Sequence, residues 1–227
     1  MSDKLPCISI KPSANRHGLF LTLTGFLALI FFIFISSYFW QQARLVLIFF
    51  ILLSIVTCVI GLVKQYEPKV SFLLTPQAIT FVHRYGRWQV NWQEIRQIGQ
   101  IRETFGIEIE ELPYIAFSLA KLDPLARHIS PRLANRLIHE QKPLLMYCIS
   151  RQLLSTEQSA INFEPFVLSD GQTLKGPVAA FLHQCRVLHQ ALGYHLFVHA
   201  SNIDRPLDEF CQLLRRCKTQ APLYQVD

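Results

Sequence analysis

Residues 71–98 run SFLLTPQAITFVHRYGRWQVNWQEIRQI, and how this stretch is read decides the fold. Ser71–Leu74 predicts a short strand, and Thr75-Pro76-Gln77 a turn. Ala78–Tyr85 predicts a strand with Ile79, Phe81 and Tyr85 on one face. Gly86-Arg87 then fits a two-residue hairpin with glycine first, and Trp88–Asn91 is the returning strand. Trp92–Ile95 is a short irregular segment before another strand near Arg96–Arg102. Gly106–Glu110 and Tyr114–Leu119 continue the series around an acidic corner at Glu110–Pro113. Closely spaced strands of this kind predict an antiparallel sheet.

Downstream the period becomes helical. Asp123-Pro124 and Ser130-Pro131 each set a capping side chain before a proline, which predicts a short helix and then a second one from Pro131 to about Gln141. Leu144–Ser150 is apolar enough to be a strand. Gly176-Pro177 opens a helix with Val178, Phe181, Leu182, Cys185, Leu188 and Leu192 at helical spacing, and Gly193 stands at its C-terminal cap. Tyr194–His199 alternates like a strand. A last helix from about Pro206 buries Leu207, Phe210, Cys211 and Leu214.

Upstream, Gly18–Trp40 and Leu45–Val63 carry no charge and are rich in Phe, Leu and Ile. As helices they reach roughly 34 and 28 Å, enough for a hydrocarbon core of about 30 Å. Only Gln41, Gln42, Ala43 and Arg44 separate them, so the expectation is a membrane hairpin with both ends on one side. Lys4, Lys11 and Arg16 before it, and Lys64 and Lys69 after it, outnumber Arg44 in the turn, which orients both ends to the cytoplasm. Ser36, Ser37, Ser54 and Thr57 fit helix contacts or backbone-bonded hydroxyls. The organisation expected is a cytoplasmic tail at 1–17, a transmembrane hairpin at 18–63 and a cytoplasmic domain at 66–227. Neither span holds an ionisable residue, so the helices read as an anchor rather than a transport path.

The run Leu74-Thr75, Ile79, Gly86-Arg87, Val90, Trp92, Glu94-Ile95 and Ile98 resembles the opening sheet of bacterial pleckstrin-homology-like domains. Asp204–Phe210 resembles the closing helix of those domains. The whole chain resembles a family of uncharacterised inner-membrane proteins of gammaproteobacteria. The resemblance implies an α+β fold, with two transmembrane helices followed by a pleckstrin-homology-like cytoplasmic domain that carries inserted helices and a closing C-terminal helix. It brings no catalytic residues.

Composition narrows the function. Hydrophobic residues make up 51% and charged residues 17%, which excludes a disordered chain. The net charge is +6, but Lys4, Lys11, Arg16 and Arg44 against Asp3 account for half of it. The rest of the chain is nearly balanced and lacks a basic–aromatic platform, so nucleic acid is not an expected partner. Cys7, Cys58, Cys148, Cys185, Cys211 and Cys217 form no Cys-x-x-Cys pair and read as reduced thiols. Hydrolase and metalloprotease motifs and glycine-rich phosphate loops are absent, and Glu108, Glu110 and Glu111 fit a half-solvated strand better than acid–base partners. Histidines at 183, 189, 195 and 199 suggest a metal-dependent or enzymatic alternative. His195 and His199, the weak candidates, share a strand face too far apart for one ion without a third ligand, so no metal or cofactor is expected.

The basic stretch Arg127, His128, Arg132, Arg136, His139 and Lys142 stands out. Spacings of four, four and three would set His128, Arg132, Arg136 and His139 on one helix face, beside apolar Ile129, Leu133 and Leu137. The expected role is a non-catalytic, membrane-anchored binding or scaffold protein of the inner membrane. A sheet edge or this basic face would engage a peptide, a membrane-associated protein or anionic lipid headgroups.

Overall fold

The computed structural model describes residues 7–12, 18–65, 68, 70–105 and 108–221, with the side chains of 102–110 outside the description. Lys4, Arg16 and Lys69, used above for orientation, lie outside the described residues, as do Gly106 and the side chains of Glu108 and Glu110. The chain divides into two compact units.

One unit is the apolar helix α1, Gly18–Gln65, long and apolar enough to cross a membrane. It is a single helical run, in place of the two separate helices expected at 18–40 and 45–63. Only Ala43 leaves helical geometry (φ −132°, ψ 31°), because neither glycine nor proline lies near the turn to break more of the ladder. The run folds back at that point: the rings of Phe32 and Phe50 stack at 4.8 Å, and Gln65 Nε2 donates to Thr22 Oγ1 at 2.7 Å. Close approach requires small residues, and a Cβ on Gly25 would lie 2.7 Å from the Cys58 nitrogen. Ser54 and Thr57 return their hydroxyls to the carbonyls of Phe50 and Leu53. Phe20, Phe26, Phe31, Phe34, Phe49 and Leu52 stay exposed.

The other unit is α+β. Its first sheet has strands β1 (Ile8–Ile10), β2 (Phe72–Leu74), β3 (Ala78–His83) and β4 (Gly86–Asn91), antiparallel in that order. The expectation of a tail over 1–17 misses β1, which pairs Ile8 with Leu74 and Ile10 with Phe72. Ile10 is fully buried, which a three-residue strand can achieve only by completing another sheet. The β3–β4 turn is Arg84–Tyr85, two residues before the expected Gly86-Arg87, with His83 opposite Gly86.

After a 3-10 turn at Trp92–Glu94 come β5 (Ile95–Phe105) and β6 (Glu108–Leu119). The acidic corner does not end β6. A register shift opposite it, between Gln100 and Arg102, absorbs the irregularity and lets the strand run through Pro113. Helices α2 (Asp123–His128), α3 (Pro131–Glu140) and α4 (Lys142–Ser150) follow. Leu144–Ser150, expected as a strand, is therefore helical: Leu144, Leu145 and Cys148 are buried at helical spacing while Met146 points out. A small hairpin of β7 (Phe166–Val167) and β8 (Thr173–Leu174) precedes α5 (Pro177–Leu192), which ends at Gly193 in the left-handed conformation (φ +77°). Strand β9 (Leu196–His199) joins β6 to complete a second sheet in the order β5-β6-β9, and α6 (Leu207–Gln220) closes the unit.

Aromatic packing joins these layers. Phe72 meets Phe81 and Phe210 of α6 at 5.1 and 5.2 Å, and Trp88 meets Phe117 of the second sheet at 6.0 Å. Alternation along β6 sends Ile115 and Phe117 into this core, and Tyr114 and Ala116 into a second cluster with Leu144, Cys148 and Leu188. Trp92 buries its ring and donates Nε1–H to the Thr75 carbonyl at 2.8 Å.

Candidate functional site

The basic stretch is divided among three helices. Ile129 is extended (φ −102°, ψ 133°) and Ser130 takes the extended geometry expected before Pro131, so α2 stops and α3 begins afresh. His128 therefore ends α2, where its Nδ1 meets the Pro124 carbonyl at 2.9 Å, and does not share a helix with Arg132. Gln141 breaks the chain again, so Lys142 starts α4. Asp123 does not cap α2. Leu122 holds that place, while the hydroxyl and N–H of Ser169 both donate to the Asp123 carboxyl and hold it below the usual carboxylate range. Arg127 leaves the set by pairing with Asp170 at 2.6 Å.

What remains on α3 is a continuous exposed face of Arg132, Asn135, Arg136 and His139 over buried Leu133, Ala134, Leu137 and Ile138. Ser130 caps the helix by accepting from the Leu133 N–H at 3.3 Å, and it donates to the Tyr85 carbonyl at 3.1 Å. That second bond seats the β3–β4 turn against the helix start. Tyr85 then lies 4.6 Å from the Arg84 guanidinium and 5.7 Å from that of Arg136, with the His83 ring stacked at 5.4 Å. Arg136 also pairs with Glu140 at 2.7 Å, and His83 approaches the same carboxylate at 3.7 Å. The result is a cationic face in which Arg84 and Arg136 flank one exposed tyrosine and Arg132 stands one turn earlier on α3, with Glu140 the carboxylate that pairs within it.

Arg84 and Tyr85 were missed because the expected hairpin buried them in a strand. Gly86 invited that error, since it serves a close approach rather than the turn. It has φ +141°, and a Cβ there would fall on the Ser130 hydroxyl. The signal available was the pair Arg84-Tyr85 immediately before a glycine.

The β5, β9 and β4 edges offer little room for an added strand. In the second sheet, Arg215 Nε and Nη2 donate to the Ile98 carbonyl of β5 at 3.2 and 3.0 Å, and Lys218 Nζ donates to the Arg96 carbonyl at 2.8 Å. At its other edge the buried Gln141 donates to the Phe197 carbonyl of β9 and accepts from Gln184 at 2.8 Å. On β4 the Arg87 carbonyl accepts from the Ser130 N–H.

The histidines do not converge. His183 Nε2 meets the Glu164 carbonyl at 3.2 Å, and His199 Nδ1 accepts from the Ser201 N–H at 3.1 Å. His195 Nδ1 accepts from the Leu119 N–H at 3.0 Å, and its ring stacks on His189 at 3.9 Å. Among the described residues no three His, Cys, Asp or Glu side chains gather to hold an ion. Cys148, Cys185 and Cys211 are buried, and burial pushes the Cys185 thiol up.

Burial, then the charges of His189 and Arg96, lower the His195 pKa to about 4, against about 6.5 for an unfolded histidine. Between those values the unfolded chain binds a proton that the folded chain refuses. Stability is therefore full above about pH 6.5 and is lost as pH falls toward 4. The melting temperature of His195→Gln should fall less than that of wild type between pH 7 and 4.5. Parallel falls would show that His195 is not the group responsible.

A family model described as protein of unknown function (DUF2982) matches residues 72–220, more than half of the chain. No curated protein matches, and no solved structure matches.

Proposed function

Because the chain belongs to the DUF2982 family, whose function is unknown, we propose its role from the molecule itself: a membrane-anchored, non-catalytic binding protein whose α+β domain engages anionic lipid headgroups through the α3 face. The anchor in this reading is α1 acting as two spans of the inner membrane, with both ends cytoplasmic. Its apolar, exposed surface supports that reading, and so does the turn at Ala43. Connectivity adds a separate argument. The chain leaves the sheet after β1 and re-enters it at β2, its neighbour, so the excursion starts and ends on one side of any barrier. With α1 after β1 and the segment from α2 to α5 between β6 and β9 taken as insertions, the order of four strands, three strands and a closing helix fits a pleckstrin-homology-like domain.

The observation that carries the proposal is the placing of Arg84 and Arg136 against the exposed Tyr85, with Arg132 one turn before Arg136 on the same exposed face of α3. Guanidinium groups bind phosphate by paired hydrogen bonds, and a tyrosine with an apolar body and a polar tip suits the headgroup layer. Each cation near an anionic surface contributes about 1 kcal/mol. Replacing residues 12–69 by a short glycine–serine linker keeps β1 in the soluble domain. That domain should float with phosphatidylglycerol vesicles, and Arg132→Glu/Arg136→Glu should weaken its partition roughly 30-fold or more. Equal flotation of the two proteins, or none by either, would remove the lipid reading.

A further inference from the structure

A second cationic feature lies between β5 and α6. Arg96, Gln97 and Ile98 of the strand and Arg215, Lys218 and Thr219 of the helix line an open cleft of about 460 Å³. No Asp or Glu side chain is among its lining residues. The bonds of Arg215 and Lys218 go to the backbone carbonyls of Ile98 and Arg96, which hold these side chains in place without neutralising them. Among the described residues no carboxylate pairs with Arg96, Arg215 or Lys218.

An edge strand could be capped by neutral amides, as Gln141 caps β9. Here three cations are gathered instead, and like charges held together repel unless an anion enters between them. A guanidinium keeps further N–H donors when one edge is engaged, and an ammonium with one bond made keeps two more. Gln97 and Thr219 add polar groups at the rim, with the Gln97 amide already oriented by its bond to Tyr194 Oη at 3.1 Å. The positive field also reaches inward, where the charge of Arg96 opposes protonation of His195.

We propose that the β5–α6 cleft binds a phosphate-bearing anion, with Arg215 and Lys218 as fixed donors and Arg96 as the cation that closes on the ligand. The volume suits a small phosphorylated molecule or a phosphomonoester headgroup. This site is separate from the α3 face and stands without it.

The test titrates inorganic pyrophosphate by calorimetry into the full chain in nanodiscs of phosphatidylcholine. Saturable binding is expected, weakened at least tenfold by Arg96→Glu and left unchanged by Lys175→Glu, a charge reversal at an exposed lysine outside the cleft. Arg96→Gln, which adds no new charge, should weaken it in the same direction, and circular dichroism confirms that each variant is folded. Repeating the titration in phosphatidic acid nanodiscs separates the sources. An unchanged affinity assigns the cleft to a soluble phosphate compound, and a weakened one lost with Arg96→Glu assigns it to the headgroup. No binding by wild type, or equal affinity in the folded Arg96 variants, overturns the proposal.

Discussion

Ile10→Ala is expected to destabilise the α+β unit by about 2–5 kcal/mol, the range for truncating a buried isoleucine. Ile10 has no exposed surface and sits in the aromatic core with Phe72. Its carbonyl accepts from both the N–H and the hydroxyl of Ser71, at 2.8 and 3.1 Å, so the strand is tied to the sheet beside the site of truncation. The control is Ile8→Ala in the same strand, because Ile8 is 42% exposed and should cost under about 1 kcal/mol. Chemical denaturation followed by the fluorescence of buried Trp88 and Trp92 reads both variants. If Ile10→Ala proved as mild as Ile8→Ala, β1 would not belong to the core.

Gly86→Ala is the second large effect. The backbone there has φ +141°, which costs an L residue about 1–3 kcal/mol, and the new Cβ would also displace the Ser130 hydroxyl. Losing Ser130 as a cap adds about 1 kcal/mol. Gly171 separates the two contributions, since it too has positive φ (+83°) but nothing within 4 Å of a Cβ. Gly171→Ala should show only the backbone cost, whereas Gly86→Ala should lose clearly more and should release Tyr85 from α3. Equal losses would mean that the turn and the helix do not meet as described.

The parts of the fold that were legible depend on local chemistry. Ser130 before Pro131, Gly176 before Pro177 and Gly193 after Leu192 mark helix ends through bonds made within a few residues, and the structure has those ends. Strands β2 to β5 follow from alternation and turn residues. What sequence reasoning missed depends on distant partners. Ile8-Ser9-Ile10, between Pro6 and Pro12, is too short a run to stand as a strand alone and becomes one because β2 offers an edge about 60 residues later. Leu144–Ser150 is a short apolar run whose period fits strand or helix alike, and packing against Leu188 and Phe197 decides for helix. The candidate site divided in the same way. Arg132, Arg136 and His139 were visible as a periodic face, whereas Arg84 and Tyr85 reach it through the Ser130 bond to the Tyr85 carbonyl, which no spacing encodes.

The pairing of Ile10 with Phe72 also sets an order of events during synthesis. The first strand leaves the ribosome well before its partner, and the whole apolar helix emerges between them. Closing a loop of that length by chance is entropically costly. Once the arms of the helix have come together, with Thr22 bonded to Gln65, only the short stretches on either side remain to be closed. Closure of the helix arms thus promotes completion of the sheet. A chain whose arms failed to close would leave β2 with a bare edge and an unfilled core, a state that protein quality control can recognise.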